Sequence, residues 1–467
     1  MGIKKFLFFI LLFYPLIKGY AQEETTDTVI YKNLRYDEDY SFLRDKPEER
    51  QKYPFSYKFI PLNNSESAFL TLGGEARWQF EHWTNPDWGL QDIRRDNYLF
   101  QRYLVHADFR LHENFRVFTQ FKSGLVLGKE AQLRTPDRDR LRLHQLFADY
   151  NINFSDNLKI IIRGGRQEMQ YGDDRYVTVR EGPNVRLSFD ALKIMAVSGD
   201  SQYDLFISRP VTTDPGIFDS RGDPEEKFWG FYTMHESPTL LQGKIDLYYF
   251  GLEKLSSEFD QGTEYELRHS IGGRFYRNTS HFNYDIDLQY QFGKFGDGYI
   301  NAYTIAGEAR YKFNHIKYEP ELNLRAGITS GNSNPADANL QTFNPLYPQG
   351  SIFGQIAQVG PTNVIDIHPE VLIYLPNNIT LDFTVEMFWR QSLNDGVYKV
   401  AYNLLVPSGN SRARYIGEQY TLEVHWQLTP PLSFHLFTTY FNTGRFLQES
   451  GAGQDIIFIA PRMTYMF

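Results

Sequence analysis

The sequence predicts an all-β chain: a transmembrane antiparallel up-and-down β-barrel of about eighteen strands, with short periplasmic turns and long extracellular loops. Three observations carry this. Long segments alternate with a period of two between a charged face and an apolar-aromatic face, as a strand between two solvents must. The connections between them alternate short and long. Aromatic residues make up 16% of a chain whose mean hydropathy is only −0.47, a combination expected when only every second residue meets lipid and aromatic girdles sit at both interfaces.

In chain order, residues 1–21 read as a secretory signal peptide. Lys4 and Lys5 form the positive start, Phe6 begins an apolar run too short to span a bilayer, and Gly19, Tyr20 and Ala21 offer a cleavage site before Gln22. Its removal takes away Lys4, Lys5 and Lys18 and moves the formal charge from −9 to −12. That acidity argues against a nucleic-acid partner. With no cysteine, disulfides and thiolate metal sites are excluded. Residues 22–67 are polar and interrupted by Pro47, Pro54 and Pro61, and read as a periplasmic extension. The barrel is expected over 68–467.

Its strands are expected at 68–82, 98–112, 115–126, 144–154, 158–167, 187–197, 203–209, 227–235, 243–251, 264–277, 281–292, 299–313, 315–329, 364–375, 378–390, 413–428, 432–441 and 456–467. The connections 83–97, 127–143, 168–186, 210–226, 252–263, 293–298, 330–363, 391–412 and 442–455 fall on one side and are mostly long; the others are short. A soluble sandwich or propeller has no reason to keep its long loops at one end. The longest, 330–363, is read either as a lumen-filling plug or as a surface loop. Gly164-Gly165 suggests a bulge, which leaves open whether Arg163 or Arg166 points inward.

Charges facing hydrocarbon cost several kcal/mol near the midplane, so the charged faces line the lumen. Arg77, Arg102, Arg110, Arg116, Lys122, Arg163, Arg268, Arg274, Arg310, Arg325 and Arg462 are the inward basic candidates, interleaved with acids. The first and last strands are expected to close the barrel, with Arg77 and Arg462 facing one another across the seam. The terminal Phe467, two residues after Tyr465, has the form of the aromatic signal read by the barrel-assembly machinery.

The strings AFLTLGGEARWQFE, DNYLFQRYLVHADFRLHENFRVFTQFKSG, GRQEMQYGDDR and NVRLSFDALKI resemble the alginate-export family of outer-membrane barrels over roughly residues 36–235. The resemblance implies an eighteen-stranded outer-membrane channel whose lumen passes an acidic polysaccharide through an arginine-rich constriction flanked by carboxylates. Residue by residue it points to Glu75 and Arg77 in GGExR, Arg102 and His106 in QRYLxH, Arg166 in GRQ, and Asp190 where FDG reads Phe189-Asp190-Ala191. The expected partners are an anionic polysaccharide or oligosaccharide, outer-membrane lipid and periplasmic export proteins; no cofactor or metal is expected. HExxH, GxSxG and phosphate-loop motifs are missing. Two other functions stay open: a general diffusion porin, and a barrel hydrolase built around pairs such as His106 and Asp108.

Overall fold

Every period-two segment pairs with the next along the chain, so alternation in the sequence becomes an inside and an outside in space. The computed structural model describes residues 31–155, 157–237 and 243–467; the signal-peptide segment 1–21 lies outside the described residues. Eighteen long antiparallel strands close into one barrel. They are β1 Phe69–Thr84, β2 Arg95–His112, β3 Phe115–Leu127, β4 Asp139–Ser155, β5 Leu158–Gln167, β6 Phe189–Ser198, β7 Ser201–Pro210, β8 Glu226–Ser237 and β9 Gly243–Phe259. The second half comprises β10 Gly262–Arg277, β11 Phe282–Phe295, β12 Gly298–Lys312, β13 Glu321–Thr329, β14 Val364–Leu375, β15 Ile379–Arg390, β16 Tyr415–Thr429, β17 Leu432–Thr443 and β18 Ile456–Met466.

Closure runs through β1, which pairs with β2 along its whole length and with β18 from Glu75↔Met466 to Trp83↔Phe458. The last residue is held as firmly as any ladder position: Phe467 N–H donates to the Gly74 carbonyl at 3.0 Å, and Gly74 N–H donates back at 2.8 Å. The seam register differs by two residues from the expected one. Arg462 lies opposite Gln79, whose Oε1 accepts from its Nε at 2.5 Å, and Thr464 lies opposite Arg77.

The faces separate as the alternation demands. On β1, Thr71, Glu75, Arg77, Gln79 and Glu81 are buried inside, while Leu72 is exposed on the outer wall. On β11 and β12, Leu288, Tyr290, Tyr303 and Ile305 are exposed outside. Hydrocarbon is the environment that makes such a wall stable.

Three local expectations are corrected. The segments 252–263 and 293–298 are not loops: β9 continues to Phe259 and β11 to Phe295, leaving two-residue hairpins at 260–261 and 296–297. The expected strand 315–329 begins only at Glu321, because Tyr318 and Glu319 turn the chain at φ of 67° and 43°. Pairing also runs without a register shift through Gly164-Gly165. Gly165 is there for a close approach instead: at φ 129°, an added Cβ would lie 2.3 Å from the Leu146 carbonyl oxygen.

The interior is filled by the loops. Segment 330–363 folds inward, burying Leu340, Phe343, Leu346, Tyr347 and Phe353. Its Tyr347 exchanges backbone hydrogen bonds with the 168–186 loop, accepting from Thr178 N–H at 3.1 Å and donating to the Tyr176 carbonyl at 2.8 Å. The two loops share an apolar cluster with inward aromatics of β6 to β9, including Phe189, Phe206, Phe228 and Phe250.

Candidate functional site

Three guanidiniums converge on one carboxylate inside the barrel. Arg77 of β1 and Arg102 of β2 are direct ladder partners, and on an antiparallel pair such residues share a face. The 168–186 loop threads between them and the lumen, anchored by the buried Val177, Val179 and Val185. It brings Glu181 to Arg77 at 3.1 Å, to Arg186 at 2.8 Å and into direct contact with Arg102. The arginines are almost wholly buried, whereas Glu181 keeps 34% of its side chain accessible. Burial pushes its carboxyl pKa up, but the Arg102, Arg186 and Arg77 charges outweigh that and hold it well below the usual range.

Two of the arginines have a second carboxylate: Arg102 Nε donates to Glu75 at 2.8 Å, and Arg186 Nε lies 2.7 Å from Glu168. Arg77 instead completes its shell with the carbonyls of Glu181, Gly182 and Pro183. Glu181 is therefore the only carboxylate that ion-pairs with Arg77 among the described residues.

The periplasmic end is covered on one side by residues 31–61, which lie against the inner faces of β1 to β5. Arg35 donates to the Gly74 carbonyl at 2.8 Å and to the Phe467 carbonyl at 3.1 Å, tying this segment to the closing seam. Tyr36 packs edge-on against Phe118 and Phe147, and its hydroxyl donates to the Glu168 carbonyl at 2.9 Å. A two-residue strand, Ile60–Pro61, then pairs with β1.

Within this segment Lys58 is fully buried, with Glu38 at 3.9 Å and the Tyr40 ring 5.0 Å from its ammonium. Burial pulls its pKa from the ordinary 10.5 to about 7, opposed by Glu38. Between those values the released segment holds more protons than the docked one, so docking strengthens as pH rises from about 7 to 10.5. Limited proteolysis of reconstituted protein is expected to cut residues 31–61 fastest at and below pH 7. Lys58→Met should remove that pH dependence, and an unchanged profile in this variant would clear Lys58 of the effect.

Opposite the segment, β12 to β16 present a different wall. Glu308, Glu321, Glu370, Asp382, Glu386 and Glu423 share its inner face, countered by Arg310 and Arg325. Arg310 pairs with Glu308 and is 47% accessible; Arg325 lies 3.3 Å from Glu308. The lumen thus has a wall richer in arginine and a wall richer in acid.

Most of the sequence-predicted residues face inward, each with a partner. Arg110 and Arg116 contact Asp108, and Arg163 pairs with Asp149 at 2.7 Å. His106 stacks on Phe118. Arg268 is fully buried beside Glu266 and donates to Gln291 at 2.7 Å. Arg166 and Asp190 differ. They are ladder partners in line with Leu146, which is 45% exposed on the outer wall, so their 2.7 Å ion pair lies on that outer side. Uninterrupted pairing through Gly165 fixes this parity, placing Arg163 inside and Arg166 outside.

Glu181, Arg186 and Glu168 carry no signal in the sequence, where they sit in a loop with no periodicity. His106 packs on Phe118, and Asp108 is taken up by Arg110 and Arg116. The acidic loop residue Asp137 is bound by Lys129 at 2.6 Å and Arg134 at 3.0 Å. Among the described residues no acidic or histidine cluster is arranged to hold a metal ion.

Comparisons with known proteins agree with the architecture. The model of the family described as alginate export matches residues 68–455. Among solved structures, Pseudomonas aeruginosa OccK5 (OpdH) matches at TM-score 0.53 and 10% identity, covering 85% of this chain and 98% of its own. OccK2 (OpdF) of the same organism, solved in complex with glucuronate, matches at TM-score 0.54 and 10% identity, covering 88% and 98%. The P. aeruginosa outer-membrane protein OpdK matches at 0.55 and 9%, covering 85% and 98%. At these identities the likeness is one of fold. No curated protein sequence matches the chain.

Proposed function

The chain belongs to the alginate-export family and is an outer-membrane channel, and from that premise we propose that it passes an anionic polysaccharide or oligosaccharide through its arginine-bearing wall. The observation that carries this reading is the convergence of Arg77, Arg102 and Arg186 on the carboxylate of a loop residue. A uronate unit presents the same group. Swinging only the Glu181 tip of the 168–186 loop aside, with the loop ends that carry Glu168 and Arg186 staying on β5 and β6, would leave a donor set already shaped for a sugar carboxylate. Guanidiniums bind carboxylates with geometric as well as electrostatic preference. Glu75 and Glu168 hold Arg102 and Arg186 in place meanwhile, as fixed counter-charges flanking the path. Arg110, Arg116, Arg163, Arg268, Arg310, Arg325 and Arg462 are proposed to contribute to the lumen's field rather than to this cluster.

Conductance across planar bilayers tests the reading. Uronate oligomers are expected to block the current where neutral oligosaccharides of equal length do not, and Arg77→Gln with Arg102→Gln should weaken the block about tenfold or more. An unblocked, weakly selective current would favour a general porin, a reading to which the acidic β12 to β16 wall lends weight. Release of fatty acid or sugar by the purified protein would favour a hydrolase instead.

A further inference from the structure

We propose that the outer wall carries a binding site for a phosphorylated glycolipid of the outer leaflet. β13 ends at Thr329 opposite Thr304, six residues short of the extracellular end of β12 at Gly298. The notch above it is a cleft of about 560 Å³ lined by Tyr303, Ser333, Gln391, Asn394, Arg412 and Arg414. Its framework is already ordered. Gln391 accepts from Gly331 N–H at 2.9 Å, and Asn394 donates to the Ser333 carbonyl at 2.6 Å.

Both arginines are exposed, and neither pairs with a carboxylate among the described residues. Arg412 donates to Asn394 at 2.8 Å, and Arg414 donates to the carbonyls of Arg390 and Gln391 at 2.7 and 2.6 Å. One nitrogen of each guanidinium fixes its position, which leaves the rest of the fork for an incoming oxyanion.

Tyr303 also lines a second depression, an apolar groove of about 770 Å³ running over Leu247, Ile271, Gly273, Leu288 and Ile305. Leu247, Ile271, Leu288 and Ile305 are among the exposed apolar residues of the lipid-facing wall. The groove exists because Gly273 and Thr233 are small where their neighbours are large. Cationic cleft and apolar groove meet at Tyr303, with Trp389 and Tyr415 in ring contact nearby at the level where interfacial aromatics sit. An occupant must therefore join an anionic, hydroxyl-rich head to a hydrocarbon chain. A phosphorylated sugar lipid does so; a soluble sugar phosphate or an uncharged lipid satisfies only half.

Binding of bisphosphorylated lipid A to the full chain in detergent micelles, followed by native mass spectrometry, tests this. Removing the lipid's phosphates, or making Arg412→Gln with Arg414→Gln, should each weaken binding about tenfold or more, and the double variant should no longer distinguish the two lipids. Filling the groove with Thr233→Trp should weaken the intact lipid while sparing its acyl-free phosphorylated disaccharide. That second variant, on the lipid face, decides the matter if the arginine variant fails to show heat-modifiable folding. Wild-type affinity in both variants, or a disaccharide that binds as tightly as the intact lipid, overturns the proposal.

Discussion

Glu181→Gln is expected to raise the anion preference and the mean conductance of the channel, read as a shifted reversal potential under a salt gradient and as larger single-channel steps. The substitution keeps the side chain's shape and removes its charge. Arg102 retains Glu75 and Arg186 retains Glu168, but Arg77 is left with three backbone carbonyls. Breaking a buried ion pair costs about 3–5 kcal/mol; with Glu181 about a third accessible, solvent screening reduces that to roughly 1–3 kcal/mol. A change of that size multiplies the population of withdrawn loop by about 5 to 150. Two consequences reinforce one another: the loop spends more time out of the lumen, and the guanidiniums it leaves face water with less counter-charge. An unchanged reversal potential and unchanged step size would show that the cluster only buttresses the loop, and the proposed path would have to run elsewhere.

How much of this was legible in the sequence follows from the range of each interaction. A strand's two faces are set by residues two apart, so the alternation alone sorts Thr71 to Glu81, and likewise the outward Leu288, Tyr290, Tyr303 and Ile305. Strand lengths beside the hairpins at 260–261 and 296–297 were not legible, but turn chemistry was where glycine or proline marked it. It was not at Tyr318 and Glu319, side chains that carry no sign of the positive φ they adopt. Parity at Arg163 and Arg166 hinged on one glycine: two adjacent glycines suggest a bulge, yet Gly165 serves a backbone approach without displacing the register. The centre of the site was the least legible part. Glu181 reaches Arg77 from 104 residues away, and a loop has no period from which its inward fold can be inferred. The acid needed beside Arg77 could be guessed from charge balance, but not its address.

The segment 31–61 is the larger surprise, and it yields the other large effect. A polar stretch broken by prolines lacks the apolar run of a core element, yet Tyr36 is only 6% exposed. Its ring packs edge-on against the stacked Phe118 and Phe147, with the Arg163 guanidinium 4.3 Å from its centre. Truncating a buried aromatic costs about 3–5 kcal/mol, and the cation–π contact adds about 0.5–2 kcal/mol. Tyr36→Ala therefore removes one apolar anchor of a segment also held by Arg35 at the seam and by Phe59 stacked on Phe69 of β1. The eighteen-strand ladder does not pass through Tyr36, so the variant should insert and remain heat-modifiable, while residues 31–61 become open to protease added on the periplasmic side. If the segment narrows the mouth, conductance rises in the same preparation and rises again when the segment is cleaved away. If protease sensitivity increases while conductance stays at the wild-type value, the segment is a brace for β1 to β5 and the conduction path lies wholly along the acidic wall. Combining Tyr36→Ala with Glu181→Gln separates the two constrictions. Resistances in series make the double variant gain more than either alone, whereas a single limiting constriction leaves one substitution silent.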